Sequence, residues 1–146
     1  MKVHAQVVSP PFPSVSKSQV RDYFATAENW NAIYGPAAEG KFWVDQVTAT
    51  GFTMSNTTAG KKPGFIVSGI QKDESPNCDL SYLVTVPGVM TFVMRYQISE
   101  SPVVITRSIC DVSGPASCMA CLLVPKVLVP TTVTEHANAV AALGKI

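Results

Sequence analysis

Charge is what this sequence has least of. Only 14% of its 146 residues are Asp, Glu, Lys or Arg, against roughly 25% in an average soluble domain. Eleven basic and ten acidic side chains leave a net charge of +1, and no basic run is interleaved with aromatics. Nucleic acid and anionic membranes are therefore not the expected partners. Long apolar runs are missing too. The most apolar window, Met119 to Val129, is short and broken by Pro125 and Lys126, so no membrane span is expected. The N-terminus lacks the charged-then-apolar pattern of a leader peptide, and the expectation is a soluble, cytoplasmic protein.

Cysteine is sparse as well. Cys78, Cys110, Cys118 and Cys121 do not make the dense framework of a small secreted scaffold. The C-x-x-C pair Cys118/Cys121 has no second pair and no histidine at ligand spacing, so no metal site is expected and both read as small buried packing residues. G-x-G-x-x-G and the nucleophile elbow are absent, and no organic cofactor is expected. Gly60-Lys61-Lys62-Pro63-Gly64 lacks the glycine spacing and following helix of a phosphate loop and reads as an exposed hairpin turn.

What the chain does have is apolar surface: 47% of it is hydrophobic. Residues 1–146 make one domain by length, and a chain this apolar has an internal cavity wall, a subunit interface, or both to cover. Monomer and homodimer both remain open. The chain begins with a strand-like alternation at Lys2 to Ser9, with Val3, Ala5 and Val7 inward and His4 outward, and Pro10, Pro11 and Pro13 end it. Ser16 as N-cap with Gln19 three residues on forms a capping box, and Val15 with Val20 forms a hydrophobic staple. Val20, Tyr23, Phe24 and Ala27 are the buried stripe of that helix. A second short turn, Glu28 to Tyr34, carries Trp30, Ile33 and Tyr34 before Gly35-Pro36 stops it.

From Gly40 to Ser113 the pattern is six strands, at Lys41 to Thr50, Phe52 to Thr58, Gly64 to Lys72, Asp79 to Val86, Met90 to Ser99 and Val103 to Ser113. Short turns built on Gly, Pro, Asp and Asn separate them, as in an antiparallel meander. After Gly114-Pro115 the tail to Ile146 is the longest helical pattern, with Pro125 and Pro130 breaking whatever precedes about Val129. Val129, Val133, His136, Val140 and Leu143 recur on one stripe, with Thr131, Thr134, Glu135, Asn138 and Lys145 opposite. One strand, two short helices, six strands and one long helix predict an α+β fold. A strongly curved seven-stranded antiparallel sheet wraps the C-terminal helix, and an apolar cavity remains between them.

The order of elements, the segment SKSQVRDYFATAENWNAIYG after the opening strand, and VITRSICDVSG running into LLVPKVLVPTTVTEHANAVAAL resemble the helix-grip superfamily of START and birch-pollen-allergen domains. Within it, the likeness is to the polyketide cyclase/dehydratase group. The resemblance implies a hydrophobic-ligand-binding domain and a cofactor-independent lyase or isomerase of secondary metabolism. Its substrate would be a hydrophobic, oxygenated small molecule.

Strand parity then sorts the polar candidates. Tyr82 and Tyr96 fall on the inward sets of their strands, whereas parity leaves the facing of Arg107 open, and Arg107 inside would demand a partner or a ligand anion. Asp45 is one potential partner. With His136 as acid or base, the two phenols as donors and Arg107 as anchor, the group suits proton transfer on an oxygenated ligand. Trp30, Tyr34, Phe92, Met94, Val129, Val133 and Val140 are the expected apolar lining. Each polar member also has a packing reading, in which His136 bonds a backbone carbonyl or nearby hydroxyl and the tyrosines pack with their hydroxyls at the rim. A carrier or sensor of a lipid-like or aromatic ligand is the competing functional class.

Overall fold

In a computed structural model, residues 1–33, 42–56 and 63–144 are described. The chain folds as β1 (Val3–Val8), α1 (Lys17–Ala25), a 3-10 turn at Ala27–Asn29 running into a helical turn at 30–33, and then β2 (Phe42–Val47), β3 (Phe52–Asn56) and β4 (Pro63–Ser75). It continues through β5 (Cys78–Val86), β6 (Met90–Ser99) and β7 (Val104–Ser113) to the C-terminal helix α2 (Val129–Leu143). The strands form one open, curved, antiparallel sheet in the order β1-β7-β6-β5-β4-β3-β2. This is the α+β helix-grip layout that the element pattern predicts. The meander makes every neighbour from β2 to β7 sequential, and β1 closes against β7.

Local chemistry sets the start of α1 as expected. Ser16 Oγ accepts from the Gln19 backbone N–H at 3.2 Å, and Gln19 Oε1 accepts from the Ser16 N–H at 2.7 Å. Two of the orphan donors at the helix start are thus satisfied reciprocally. α1 then turns Val20 and Phe24, both fully buried, towards the sheet. At the other end of the meander, Gly114 sits at φ +107°, and a Cβ there would lie 2.9 Å from Met90 Cα. Only glycine tolerates both the backbone angle and that approach.

Parity holds through the middle of the sheet. Leu80, Tyr82 and Val84 of β5, Met90 to Ile98 at alternate positions of β6, and Ile105, Arg107 and Ile109 of β7 are buried on one face. β1 departs from expectation. Val7 is buried, Ala5 is half-buried, and Val3 is 43% exposed. A register shift between Val3 and Ala5 breaks the alternation, because a bulge changes which side chain faces inward. His4 is half-buried, and its Nε2 accepts from the Val112 N–H at 3.4 Å.

The prolines of the tail act as the sequence suggests, but in a less usual form. After Gly114, a 3-10 turn (Ser117–Met119) and a single α-turn (Ala120–Leu123) lead into a π-helical stretch, Val124–Leu128, that contains Pro125. A missing donor is absorbed there by widening the helix rather than by ending it. Pro130 falls in the first turn of α2, where its lacking N–H is an orphan in any case. Cys118, expected to be buried, is exposed on this connection. The proposed hairpin turn at Gly60 to Gly64 and the residue Tyr34 lie outside the described residues, apart from Pro63 and Gly64 at the start of β4.

β2 is the outer strand on one side of the sheet. Its Val44 N–H donates to Asn31 Oδ1 at 2.8 Å, and a bulge between Val44 and Gln46 interrupts its ladder with β3. Asp45, a potential partner for Arg107, is exposed at this bulge and accepts instead from Ser55 Oγ at 2.8 Å.

Candidate functional site

Antiparallel register builds the site from the sheet upward. Tyr96 on β6 lies directly across from Arg107 on β7, and Tyr82 on β5 lies across from Met94, the next inward position of β6. Two tyrosines and an arginine are thereby fixed on one patch of the buried face. The phenolic oxygens of Tyr82 and Tyr96 are 2.6 Å apart, and Arg107 Nη2 donates to the Tyr82 oxygen at 3.0 Å. The guanidinium also stacks over the Tyr96 ring at 4.8 Å and the Trp30 ring at 5.9 Å.

The helix supplies the counter-charge. Glu135, placed on the outer side by the valine stripe, is only 3% exposed. Its two carboxylate oxygens lie 3.3 and 3.4 Å from Arg107 Nη2. The buried stripe of α2 is therefore Thr132, Glu135, His136, Ala139 and Leu143. Val133, an expected lining residue, is 52% exposed, while Val129 and Val140 pack at the flanks of the core. A buried guanidinium cannot shed its proton, so it must be matched by an acid. Meeting that demand rotates the helix away from its greasiest face. Asn138 fixes the rotation further by donating to the Ile33 carbonyl at 2.8 Å.

His136 reaches the same interior and is 1% exposed. Its ring meets Phe24 edge-on at 6.5 Å, and Phe24 in turn packs against Tyr96 at 5.2 Å and Trp30 at 6.1 Å. Phe24 was not among the sequence candidates, yet it links the histidine to the tyrosines. Neither Nδ1 nor Nε2 of His136 has a hydrogen-bond partner among the described residues. The packing reading, in which a carbonyl or hydroxyl satisfies the ring, therefore fails for these residues. Such an imidazole costs about 1–3 kcal/mol for each polar group left unsatisfied.

Electrostatics follow from burial. Desolvation, with a contribution from the Arg107 charge, lowers the His136 pKa from 6.5 to about 3, so the ring is neutral at physiological pH. Desolvation outweighs the pull of Arg107 and raises Tyr82 to about 12, and it holds Tyr96 well above its ordinary value. Both phenols keep their protons. Burial likewise raises the Glu135 carboxyl, while Arg107 pulls it back down.

A proton count completes the picture. The two hydroxyls carry two hydrogens, and only one can lie in the bond they share. The other is available to an acceptor, and the neutral imidazole of His136 offers one N–H donor and one acceptor nitrogen. Of the expected lining, Phe92, Met94 and Trp30 are buried around this patch, and Trp30 is pinned by its indole N–H donating to the Phe24 carbonyl at 3.1 Å.

A comparison with protein-family models and with curated proteins finds no match. The site must therefore be judged on its own geometry. Among the described residues, no three His, Cys, Asp or Glu side chains converge as metal ligands, and no helix is long and apolar enough to cross a membrane. Two surface clefts, of about 330 and 350 Å³, lie at the two ends of α1 and include none of the buried cluster. The buried polar cluster itself lies inside, between α2 and the sheet.

Proposed function

We propose that this chain is a helix-grip domain that takes a small, largely apolar, oxygen-bearing molecule between α2 and the sheet. We further propose that it converts the molecule by proton transfer without a cofactor, as in a polyketide-like cyclisation, dehydration or isomerisation. The observation that carries this reading is His136, a buried, neutral imidazole with both nitrogens unpartnered, in the same interior as a phenol pair with one hydrogen to spare. Buried polar groups are normally satisfied, so an acceptor and a donor left over together suit a ligand carbonyl or hydroxyl. In the reaction, an imidazole nitrogen takes a proton from carbon beside the carbonyl. The released electron pair moves to the carbonyl oxygen, which accepts the spare phenolic hydrogen bond. The imidazolium, disfavoured in this interior, then gives its proton to another carbon of the enolate in an isomerisation, or in a dehydration to the β-hydroxyl, which departs as water as the enolate pair forms the new C=C bond. Membership of the START and birch-pollen-allergen superfamily, a cytoplasmic setting and a monomer or homodimer belong to the same proposal.

The low proton affinity of His136 also favours a second reading, a non-catalytic carrier in which the imidazole only hydrogen-bonds its cargo. Native mass spectrometry of the purified protein tests uptake through a retained small-molecule mass. With that ligand, or a product analogue, His136→Gln separates the readings. An enzyme loses turnover while still binding, whereas a carrier shows altered affinity alone. A protein that retains no ligand and takes up no apolar probe overturns both.

A further inference from the structure

The interior cation is already spoken for. Arg107 Nη2 lies against both oxygens of Glu135 and against Tyr82, its guanidinium face covers Tyr96, and Glu135 is the only acid of the helical tail. Both partners are nearly fully buried. The guanidinium therefore faces the one carboxyl group that reaches it, beside two protonated phenols and one neutral imidazole. An incoming carboxylate, phosphate or sulfonate would have to displace Glu135 or sit beside it unmatched in a dry interior, and burying an unpaired charge is strongly disfavoured.

We infer that Glu135 is the specificity-determining residue of this interior. By holding Arg107 it excludes anions, so the ligand is a neutral molecule recognised through a carbonyl or hydroxyl oxygen. This rests on the proposed function insofar as the interior must admit a ligand. Of the two roles the sequence leaves to an inward Arg107, a protein partner or a ligand anion, it takes the first. Arg107 instead acts through Tyr82, polarising the hydroxyl to which it donates.

The test uses two fluorescent probes that share a skeleton and differ in charge, neutral N-phenylnaphthylamine and its sulfonated analogue anilinonaphthalene sulfonate. The intact protein is expected to bind the neutral probe at least about tenfold more tightly. Glu135→Gln uncovers Arg107 and should bring the sulfonate level with or above the neutral probe, while Glu135→Asp keeps the wild-type preference. A merely structural Glu135 would weaken both probes together and leave their ratio unchanged, which overturns the inference while leaving uptake intact. So does a wild-type protein that binds the two probes equally. Binding of neither probe to the wild type removes the proposed function and this inference with it. If Glu135→Gln does not fold alone, benzoate should restore its folded signal and the neutral isostere benzamide should not. Rescue by both alike, or by neither, counts against the role assigned to Glu135.

Discussion

Replacing His136 with Gln should change how the protein responds to acid more than how stable it is at neutral pH. His136 is neutral and buried in the folded chain, with its pKa lowered from 6.5 to about 3 by desolvation and the Arg107 charge. A depressed folded value means that the unfolded chain binds the proton first. The contribution is thus fully present above pH 6.5 and is lost as pH falls towards about 3. At about 1.4 kcal/mol per pH unit, roughly 3 kcal/mol should disappear between pH 6.5 and 4.5, and ~5 kcal/mol over the whole interval. Glutamine has no such titration. The Glu135 carboxyl, whose pKa is raised by burial, gains stability on acidification, but it does so in both proteins and drops out of the difference. Urea unfolding of wild type and variant at pH 7.5 and 4.5 measures the effect. The wild type should lose about 2–3 kcal/mol more than His136→Gln on acidification. Parallel losses would refute the assignment of His136 as a buried neutral imidazole.

Two further outcomes follow from the rotation of α2 and from the ion pair beneath it. Val133 faces solvent, so Val133→Glu should change stability by no more than about 0.5 kcal/mol in thermal unfolding, whereas Ala139→Glu, on the buried stripe, should unfold the domain. Removing one member of the buried pair, as in Glu135→Met or Arg107→Met, should cost about 3–5 kcal/mol, while the double replacement should cost clearly less than either single one. Additive losses in that double-mutant cycle would mean that the two side chains do not depend on one another.

Much of the fold was readable because its signals are local. The capping box at Ser16, the Pro87-Gly88 turn and the alternation of β5 to β7 each depend on residues a few positions apart, and each appears where the sequence places it. The turn expected from Asp73 to Asn77 is shorter, because β4 runs on to Ser75. Tyr82, Tyr96 and His136 were legible as inward groups by equally local signals, whereas the facing of Arg107 was left open by parity and is settled by the β6–β7 register. The rotation of α2 was not legible, because two overlapping stripes compete for the sheet and the apolar one is the more conspicuous. What decides between them is a charge on β7, 28 residues from its partner in sequence. The available clue was that an inward arginine needs an acid and that the tail contains just one, Glu135. Of the edge strands, β1 was misread in part and β2 was left open for a different reason. Bulges in β1 and β2 alter the parity that strand reading relies on, and these shifts leave no mark in the hydrophobic pattern.

The bond between Asn31 and the Val44 backbone bears on how this protein behaves at high concentration. An open sheet ends in strands whose unpaired backbone invites another chain to continue the ladder, and polymerisation can start from such a rim. On the β2 side, an incoming strand would find a central donor already taken by a side chain of the same molecule. It would also find a kink next to that donor that spoils a regular register. Growth along this rim would first have to break that internal bond, so the contact by which Asn31 tethers the helical turn that carries Trp30 also occupies a donor an added strand would need.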